Sequence, residues 1–400
     1  MIHAQYEPLA KLWGVPVSEV PKYLAIEKNL TIISSILKSI LDNLSFGGTY
    51  INVPENQVFI NTINSSMIPI VKSNPKIKPY INLLSFKNAT NSSHKLNVTL
   101  NELTLFLQTL NTTNVTIGIS PIINNIVIHL YYEDDPVNKK FIEKAKTFYP
   151  IIKYSQPNSA NSTKLKSKIK KRIIENLILG GDGLHNVDGS LKCSAGLWVQ
   201  DENYVDYLLT AGHCYQGSPL NPSGYVDFYL QGWYSQPTYN YIGPLVYYSS
   251  VTHDFGLIRH VNTNSTLTTM IDNSDHPNLY KHLLIEEASN IDDVGVHVCK
   301  SGFATHVVCG QVTELNVESS YQLLNGRTFI WRELIGTDMG TIGGDSGGPV
   351  FSYSPIKLPY VSVVGITIAG DESKTEYIPL SVILRVTRLN FNLSIIVTPQ

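Results

Sequence analysis

The chain has 400 residues, of which 43% are hydrophobic and 16% are charged, and its formal net charge at pH 7 is −2. This length allows two or three compact domains, and the apolar runs are too short to cross a bilayer. Residues 1–172 carry 20 Lys and Arg against 10 Asp and Glu, whereas residues 173–400 carry 10 against 22. Opposite charges favour docking of the two parts onto each other over binding to nucleic acid or membrane. The alternative is that both parts are simply soluble.

Residues 1–152 form the first predicted unit, an α+β domain in which a helix and a hairpin occur twice. Apolar residues recur at helical spacing over residues 17–45, and two strands joined by a turn follow at 46–53 and 57–60. The apolar face of that helix comprises Leu24, Ile32, Ile33, Ile36, Leu37 and Leu41. The second copy comprises a helix at 101–110, strands at 115–119 and 125–130, and a helix at 136–148.

Residues 153–175 form a predicted linker. Seven Lys or Arg side chains lie among Ser, Asn and Pro between residues 153 and 172, and no acidic residue accompanies them. Such a segment is expected to be extended, solvated and open to proteolysis. Lys171 and Arg172 form a candidate dibasic processing site, and the alternative is a plain charged linker.

The N-terminus shows no signal peptide, because residues 1–8 lack a basic start followed by an apolar segment. The chain nevertheless contains eleven Asn-x-Ser/Thr sequences, nine of them before residue 172. Used as glycosylation sites, they would indicate secretion, although a chain rich in Asn, Ser and Thr also forms such sequences by chance. We therefore expect an extracellular glycoprotein whose true start differs from the one given.

Residues 176–400 form the third predicted unit, an all-β domain. Short apolar and aromatic runs alternate with Gly, Pro, Asn and Asp, which is typical of a sandwich or a barrel, and a helix-like run follows at 379–389. All four cysteines lie in this unit without the close Cys-x-x-Cys spacing of a zinc site. Two disulfides are expected instead, and neither a metal nor another cofactor is.

Residues 343–350 read Gly-Gly-Asp-Ser-Gly-Gly-Pro-Val and set one serine among four glycines. Glycine allows the sharp turn that aims successive amides at one point. As a nucleophile, Ser346 needs a base beside it, and the amides of Gly344 and Ser346 are candidate donors to the oxyanion. The alternative is an ordinary glycine-rich turn.

A candidate base and a candidate acid lie upstream of this serine. His213 follows the apolar run 205–209 through a small-residue turn, and the end of a strand is a rigid mount for a general base. Asp254 precedes another apolar run, where a buried carboxylate would orient the imidazole. The order His, Asp, Ser is that of chymotrypsin and differs from those of subtilisins and α/β-hydrolases.

From about residue 178 to its C-terminus the chain resembles a chymotrypsin-fold serine protease of the alpha-lytic protease and streptogrisin group. The resemblance rests on six segments in order, namely 178–182, 193–196, 210–214, 254–259, 298–302 and 343–350. It implies a double six-stranded antiparallel β-barrel with a C-terminal helix and with His213, Asp254 and Ser346 in the cleft between the barrels.

The same resemblance implies a disulfide partner for each cysteine and a role for the first unit. The group pairs the equivalents of Cys193 with Cys214 and of Cys299 with Cys309. Its pro-regions are similar to the helix–hairpin repeat of residues 1–152, and they assist folding of the protease and inhibit it.

Three positions depart from the pattern of this group. Ile368 replaces a serine that supports the catalytic aspartate, so Asp254 is expected to be held less firmly. Gly340 stands where trypsin has the aspartate that selects Arg or Lys, which favours an apolar or small side chain before the cleaved bond. Lys300 replaces an arginine that pairs with the equivalent of Asp345. The predicted substrate pocket comprises Gly340, Thr341, Thr367, Ile368, Ala369 and Gly370.

The sequence thus predicts a secreted serine endopeptidase that is made as a proenzyme and cleaves protein or peptide substrates through an acyl-enzyme. Its own pro-region is the expected intramolecular partner. The alternative is a non-catalytic binding protein on the same fold. Three filled triad positions argue against that alternative, and the change at Ile368 argues for it.

Overall fold

The structure is a computed structural model. It describes residues 7–130, 136–155, 176–188, 193–233, 235, 240–275, 280–322, 326–354 and 358–399. The candidate processing site Lys171–Arg172 and most of the basic linker lie outside these ranges. No helix within them is long and apolar enough to cross a bilayer.

The N-terminal half, residues 7–155 here, mixes helices with short strands. Its helices are α1 Glu7–Trp13, α2 Val20–Lys38, α3 Ile68–Ser73, α4 Ser93–Thr109 and α5 Lys139–Ala145. Its strands are β1 Phe46–Asn52, β2 Gln57–Thr62, β3 Leu84–Asn88, β4 Val115–Ser120, β5 Asn125–Leu130 and β6 Ile151–Tyr154. Both predicted hairpins form as antiparallel pairs, β1 with β2 and β4 with β5.

Two helices differ from their predicted extents or faces. Helix α2 buries Leu24, Ile33 and Leu37 as expected, but Ile32 lies on the opposite face and is 49% exposed. Helix α4 begins at Ser93, earlier than predicted, where the side chain of Ser92 caps it by accepting a hydrogen bond from the Lys95 amide at 3.2 Å. The first turn consists mainly of polar residues, so the spacing of apolar residues does not predict this start.

The C-terminal half, residues 176–399, is almost entirely β-structure. Its first strands are β7 Leu177–Gly180, β8 Gly183–His185, β9 Cys193–Ser194, β10 Trp198–Gln200, β11 Asp206–Thr210, β12 Val226–Gln231, β13 Asn240–Ser249 and β14 Phe255–Arg259. The next are β15 Thr266–Asp272, β16 His282–Ala288, β17 His297–Gly302, β18 His306–Gln322 and β19 Thr328–Thr337. The last elements are β20 Pro349–Tyr353, β21 Tyr360–Asp371, β22 Lys374–Pro379, helix α6 Leu380–Thr387 and β23 Ser394–Ile395.

These strands form two sheets. One follows the open order β23-β10-β11-β14-β13-β12-β8-β9. In the other, β17, β18, β19, β22, β21 and β20 pair in a closed cycle, and β16, β15 and β7 extend it from β21. The all-β architecture with a late helix is confirmed, whereas two barrels of six strands each stay a prediction.

The N-terminal half continues the second sheet. Strand β4 pairs antiparallel with β18, with Thr116 opposite Ser319, so that β6, β5 and β4 lie at its edge. A second contact joins α2 to the C-terminal half, because Glu27 accepts hydrogen bonds from the backbone amide of His297 at 2.8 Å and from its ring at 2.5 Å. Strand addition of this kind satisfies the backbone N–H and C=O groups of an exposed sheet edge. It also brings β4 close to the cleft described next.

Candidate active site

His213 lies directly after β11. The chain leaves this strand at Thr210 and makes one tight turn over Gly212–Tyr215, which is held by a disulfide between Cys193 and Cys214. Gly212 is required here, because a Cβ atom would lie 2.2 Å from the carbonyl oxygen of Ser249. The turn therefore fixes the imidazole at the end of a paired strand.

Asp254 is fully buried and holds His213 in two ways. One carboxylate oxygen accepts the backbone N–H of His213 at 2.7 Å, and the other lies 2.5 Å from its Nδ1. Burial disfavours the imidazolium, yet the charge of Asp254 and this hydrogen bond raise the pKa of His213 above its ordinary value of 6.5. A ring held at Nδ1 presents Nε2 to the cleft.

Ser346 lies on the loop between β19 and β20, in the other sheet. Its Oγ donates to the carbonyl oxygen of Ile368 at 3.4 Å, and within the described residues no hydrogen bond joins it to His213. The amides of Gly344 and Ser346 donate to no acceptor in the described part of the chain. Gly344 has φ +113°, a conformation that favours glycine and leaves these two N–H groups free for a ligand.

Ser194 connects the serine loop to the strand that precedes His213. Its amide donates to the carbonyl of Ser346 and its Oγ to the carbonyl of Gly344, both at 2.7 Å. The hydroxyl of Thr210, at the end of β11, donates in turn to the carbonyl of Ser194 at 2.9 Å. These hydrogen bonds therefore hold the candidate nucleophile Ser346 at a fixed separation from the candidate base His213, although the two come from different sheets.

Asp345 anchors the same loop from inside. Its carboxylate pairs with Lys300 at 2.7 Å, and neither side chain is exposed. The same carboxylate accepts the amides of Ala304 and Thr305 at 3.0 and 2.9 Å. Burial opposes ionisation, but Lys300 and the hydroxyl and amide of Thr305 lower the pKa of Asp345, so the carboxylate is charged and its oxygens are satisfied. The lysine fills the role that the resemblance gives to an arginine.

The cleft beside these residues has a volume of about 210 Å³. His213 and Ser346 line it together with five of the six predicted pocket residues, namely Thr341, Thr367, Ile368, Ala369 and Gly370. Gly340 is not among the lining residues, because its backbone packs against the carbonyl of Glu372.

Several lining residues escaped prediction. Among them are Asp371, Lys374 and Glu376 from the β21–β22 hairpin, Tyr321 from β18, and Asn114, Thr116, His129 and Ser155 from the N-terminal half. Lys374 and Glu376 stand two positions apart on β22, and this spacing puts both side chains on one face of the strand. The sequence could have predicted from this spacing that the two residues face the cleft together. Next to the cleft, Trp331 stacks on the His213 ring with 5.7 Å between centroids.

Comparison with known proteins identifies the C-terminal half. The sequence model of the Trypsin family matches residues 186–392, just over half of the chain. This chain belongs to the trypsin family. The family comprises serine-type endopeptidases, and the all-β fold, the serine loop and both disulfides, Cys193–Cys214 and Cys299–Cys309, agree with it.

Three relatives illustrate the range of similarity within and around the trypsin family. Serine protease 1 of Streptomyces fradiae is 32% identical over 183 residues, which are 46% of this chain and 44% of that protein. Serine protease 2 of the same organism is 29% identical over 195 residues, or 48% of this chain and 95% of that protein. A crystal structure of Nocardiopsis protease aligns with 20% identity and a TM-score of 0.41 over 55% of this chain and 98% of that chain. The chain thus matches less than half the length of the first relative.

The buried pair Lys300–Asp345 gives a prediction about stability. Replacing Lys300 by Met leaves a buried carboxylate without its counter-charge, which costs about 3–5 kcal/mol and lowers Tm by on the order of 10 °C. Calorimetry on the full chain measures the shift. The matched control is Lys281→Met at an exposed position, for which a change within about 0.5 kcal/mol is expected. Equal shifts in the two variants would show that the pair contributes nothing beyond packing.

Proposed function

We propose that this protein is a secreted serine endopeptidase made as a proenzyme, with Ser346 as nucleophile, His213 as general base and Asp254 as its partner. The observation that carries the proposal is the 2.5 Å contact between His213 and Asp254 in the cleft that Ser346 also lines. Membership in the trypsin family supports the same reaction class.

The reaction begins when Ser346 Oγ attacks the carbonyl carbon of a bound peptide and its proton passes to Nε2 of His213. The negative charge on the carbonyl oxygen is received by the amides of Gly344 and Ser346, which have no competing acceptor among the described residues. His213 then protonates the leaving amine as the C–N bond breaks. Water, deprotonated by His213, releases the acyl group and restores the serine hydroxyl.

The hydroxyl of Ser346 has to turn from Ile368 to His213 before it can react. Its present hydrogen bond of 3.4 Å is long and weak, so a rotation about the Cα–Cβ bond costs little. Catalytic hydrogen bonds are commonly loose in a free enzyme and shorten when substrate binds.

The proenzyme part of the proposal concerns residues 1–152, with residues 153–175 as the linker and 176–400 as the protease. Asn114, His129 and Ser155 line the cleft, and Ser155 lowers the pKa of Asp371 on the cleft wall. A substrate needs this space, so the docked N-terminal half competes with it. Lys171–Arg172 is the proposed processing site, and the two disulfides fit an extracellular protein.

A non-catalytic binding protein is the second candidate function, because few groups support the carboxylate of Asp254. Within the described residues both hydrogen bonds to its carboxylate come from His213, and the buried Ile368 offers only an apolar side chain. A less supported aspartate lowers the rate of a protease and is tolerated fully in a protein that only binds.

Labelling by a fluorophosphonate distinguishes these candidates. The processed wild-type protein should be labelled at Ser346 and hydrolyse casein, because an activated serine attacks phosphorus. Ser346→Ala should lose both, whereas Ser352→Ala on β20 keeps both. Labelling that persists in Ser346→Ala refutes this nucleophile, and a wild-type protein that is neither labelled nor active supports the binding protein.

The pH profile tests the pair His213–Asp254. Only neutral imidazole accepts a proton, so kcat/KM should rise with pH through the pKa of His213, with a midpoint above 6.5 since Asp254 raises that pKa. In Asp254→Asn the midpoint should fall and kcat should drop by about 10⁴-fold, as in the serine-protease template. Steady-state kinetics from pH 5 to 10 measure both, and an unchanged midpoint in Asp254→Asn contradicts the assignment.

Inhibition by the N-terminal half is testable by dilution. We replace residues 160–170 by a recognition sequence for a site-specific protease and cut the purified chain there. Specific activity of the cut protein should rise as it is diluted, because mass action releases a bound inhibitor. The uncut protein should show low activity at every dilution. Equal activity of cut and uncut protein over a thousandfold dilution would exclude inhibition.

A further inference from the structure

The wall of the cleft carries charges that the proposed mechanism does not use. Strands β21 and β22 pair so that Glu376 lies opposite Ala369 and Lys374 opposite Asp371. Residues opposite each other in an antiparallel pair share one face of the sheet. Ala369, Lys374 and Glu376 all line the cleft, and Ala369 follows Ile368, whose carbonyl holds Ser346 Oγ. The charged side chains therefore line the same cleft as Ser346.

We propose that Glu376 binds the side chain of the substrate residue that precedes the cleaved bond, and that this residue is Lys or Arg. The inference rests on the proposed peptidase function and adds its substrate class. It replaces the apolar preference expected from Gly340, because the carboxylate comes from β22 and not from the loop before Ser346.

The hydrogen bonds of Glu376 leave room for a cationic ligand. Its carboxylate is 3% exposed, and Oε1 receives Lys374 Nζ at 2.6 Å and the hydroxyl of Thr116 at 2.8 Å. Among the described residues, Oε2 is buried without any hydrogen-bond donor, and Oγ1 of Thr367 on the same wall is buried without a hydrogen-bond partner. A buried carboxylate oxygen without a donor is costly, and an ammonium or guanidinium group would satisfy it.

The balance of charge decides between a basic and an acidic ligand. Lys374 is the one Lys or Arg among the described residues that line the cleft, and it interacts with three carboxylates, those of Glu376 and Asp371 in the lining and that of Glu314 outside it. Although burial opposes ionisation, His129 and Lys374 lower the pKa of Glu314 to about 2, and Ser155, Ser373 and Lys374 lower the pKa of Asp371. One positive charge against three negative charges attracts a basic side chain and repels an acidic one.

The N-terminal half supplies temporary partners to the same carboxylates. Thr116 donates to Glu376, and His129 lies 3.5 Å from Glu314. Burial and the nearby Lys374 lower the pKa of His129, so at neutral pH its ring is neutral and brings no positive charge to Glu314. Removal of residues 1–155 takes both partners away and leaves the carboxylates to a substrate.

The predicted linker has the chemistry that this pocket would recognise. Its seven basic residues between 153 and 172 include the pair Lys171–Arg172 and stand without any acidic neighbour. An enzyme that selects Lys or Arg is thus able to cut its own linker. The charges of the pocket and the composition of the linker are independent features of the chain, and both favour cleavage after Lys or Arg.

The test uses the processed enzyme and five fluorogenic peptides that differ only in the residue before the cut, namely Arg, Lys, Ala, Phe and Glu. Arg or Lys should exceed each of the others at least tenfold in kcat/KM. Glu376→Gln should lower kcat/KM for Arg and Lys by 10–100-fold and change that for Ala less than threefold. The matched control is Glu372→Gln at the exposed turn of the same hairpin, which should leave the preference intact.

Binding of benzamidine, an aromatic cation, to processed Ser346→Ala protein separates this inference from the proposed activity. Calorimetry should detect binding in the protein with Glu376 and at least tenfold weaker binding when Glu376→Gln is added. Preference for Glu, equal rates for all five peptides, a uniform loss in Glu376→Gln or absence of benzamidine binding would each overturn the inference. Fluorophosphonate labelling without a basic preference refutes only the specificity, whereas benzamidine binding without labelling or hydrolysis refutes only the activity.

Discussion

The buried carboxylate of Asp345 is the constraint on which the candidate site depends. It lies one residue before Ser346 and is held by the ammonium of Lys300 and by two backbone amides of the β17–β18 turn. Removing a carboxylate from water is expensive, and here the ion pair and the hydrogen bonds offset that cost. The loop is thereby fixed, and the amides of Gly344 and Ser346 within it have no acceptor among the described residues. Without this anchor a segment so rich in glycine would have many conformations.

The remaining geometry depends on how the two sheets meet. His213 and Asp254 belong to the eight-stranded sheet, whereas Ser346 belongs to the other one. Ser194 bridges them through short hydrogen bonds to the serine loop, and Thr210 holds Ser194 from the strand that leads to His213. A change in sheet packing would therefore alter the distance between His213 and Ser346 even with all three candidate triad side chains in place.

The N-terminal half meets the C-terminal half at a strand edge and in the cleft. Pairing of β4 with β18 satisfies backbone groups at the edge, and Thr116 and His129 offer polar atoms to buried carboxylates. The helix contact through Glu27 and His297 adds a third point of attachment. Thr116 thus occupies one carboxylate oxygen of Glu376 in the cleft that Ser346 and His213 line.

Much of this molecule could be predicted from local sequence. Glycine placement gave the serine loop, and apolar alternation gave both hairpins of the N-terminal half. The order of His213, Asp254 and Ser346 gave the reaction class, and the resemblance gave both disulfides. These features succeed because they depend on turn chemistry and strand period within a few residues. The prediction that Ile32 lies on the buried face of α2 failed, because a stripe of apolar residues in the sequence does not show which edge of the stripe faces the core.

The sequence by itself determined the β-rich C-terminal half and the reaction class, and it predicted the candidate nucleophile, its partners and the basic linker. Only the tertiary structure decided that β4 joins β18, that Trp331 stacks on His213, and that Lys374 and Glu376 line the cleft while Gly340 does not. Residues 116 and 319 lie about two hundred positions apart, and no local period specifies which strand edges pair. Contacts of that kind follow from the packing of whole sheets, where burial and register are set by every strand together.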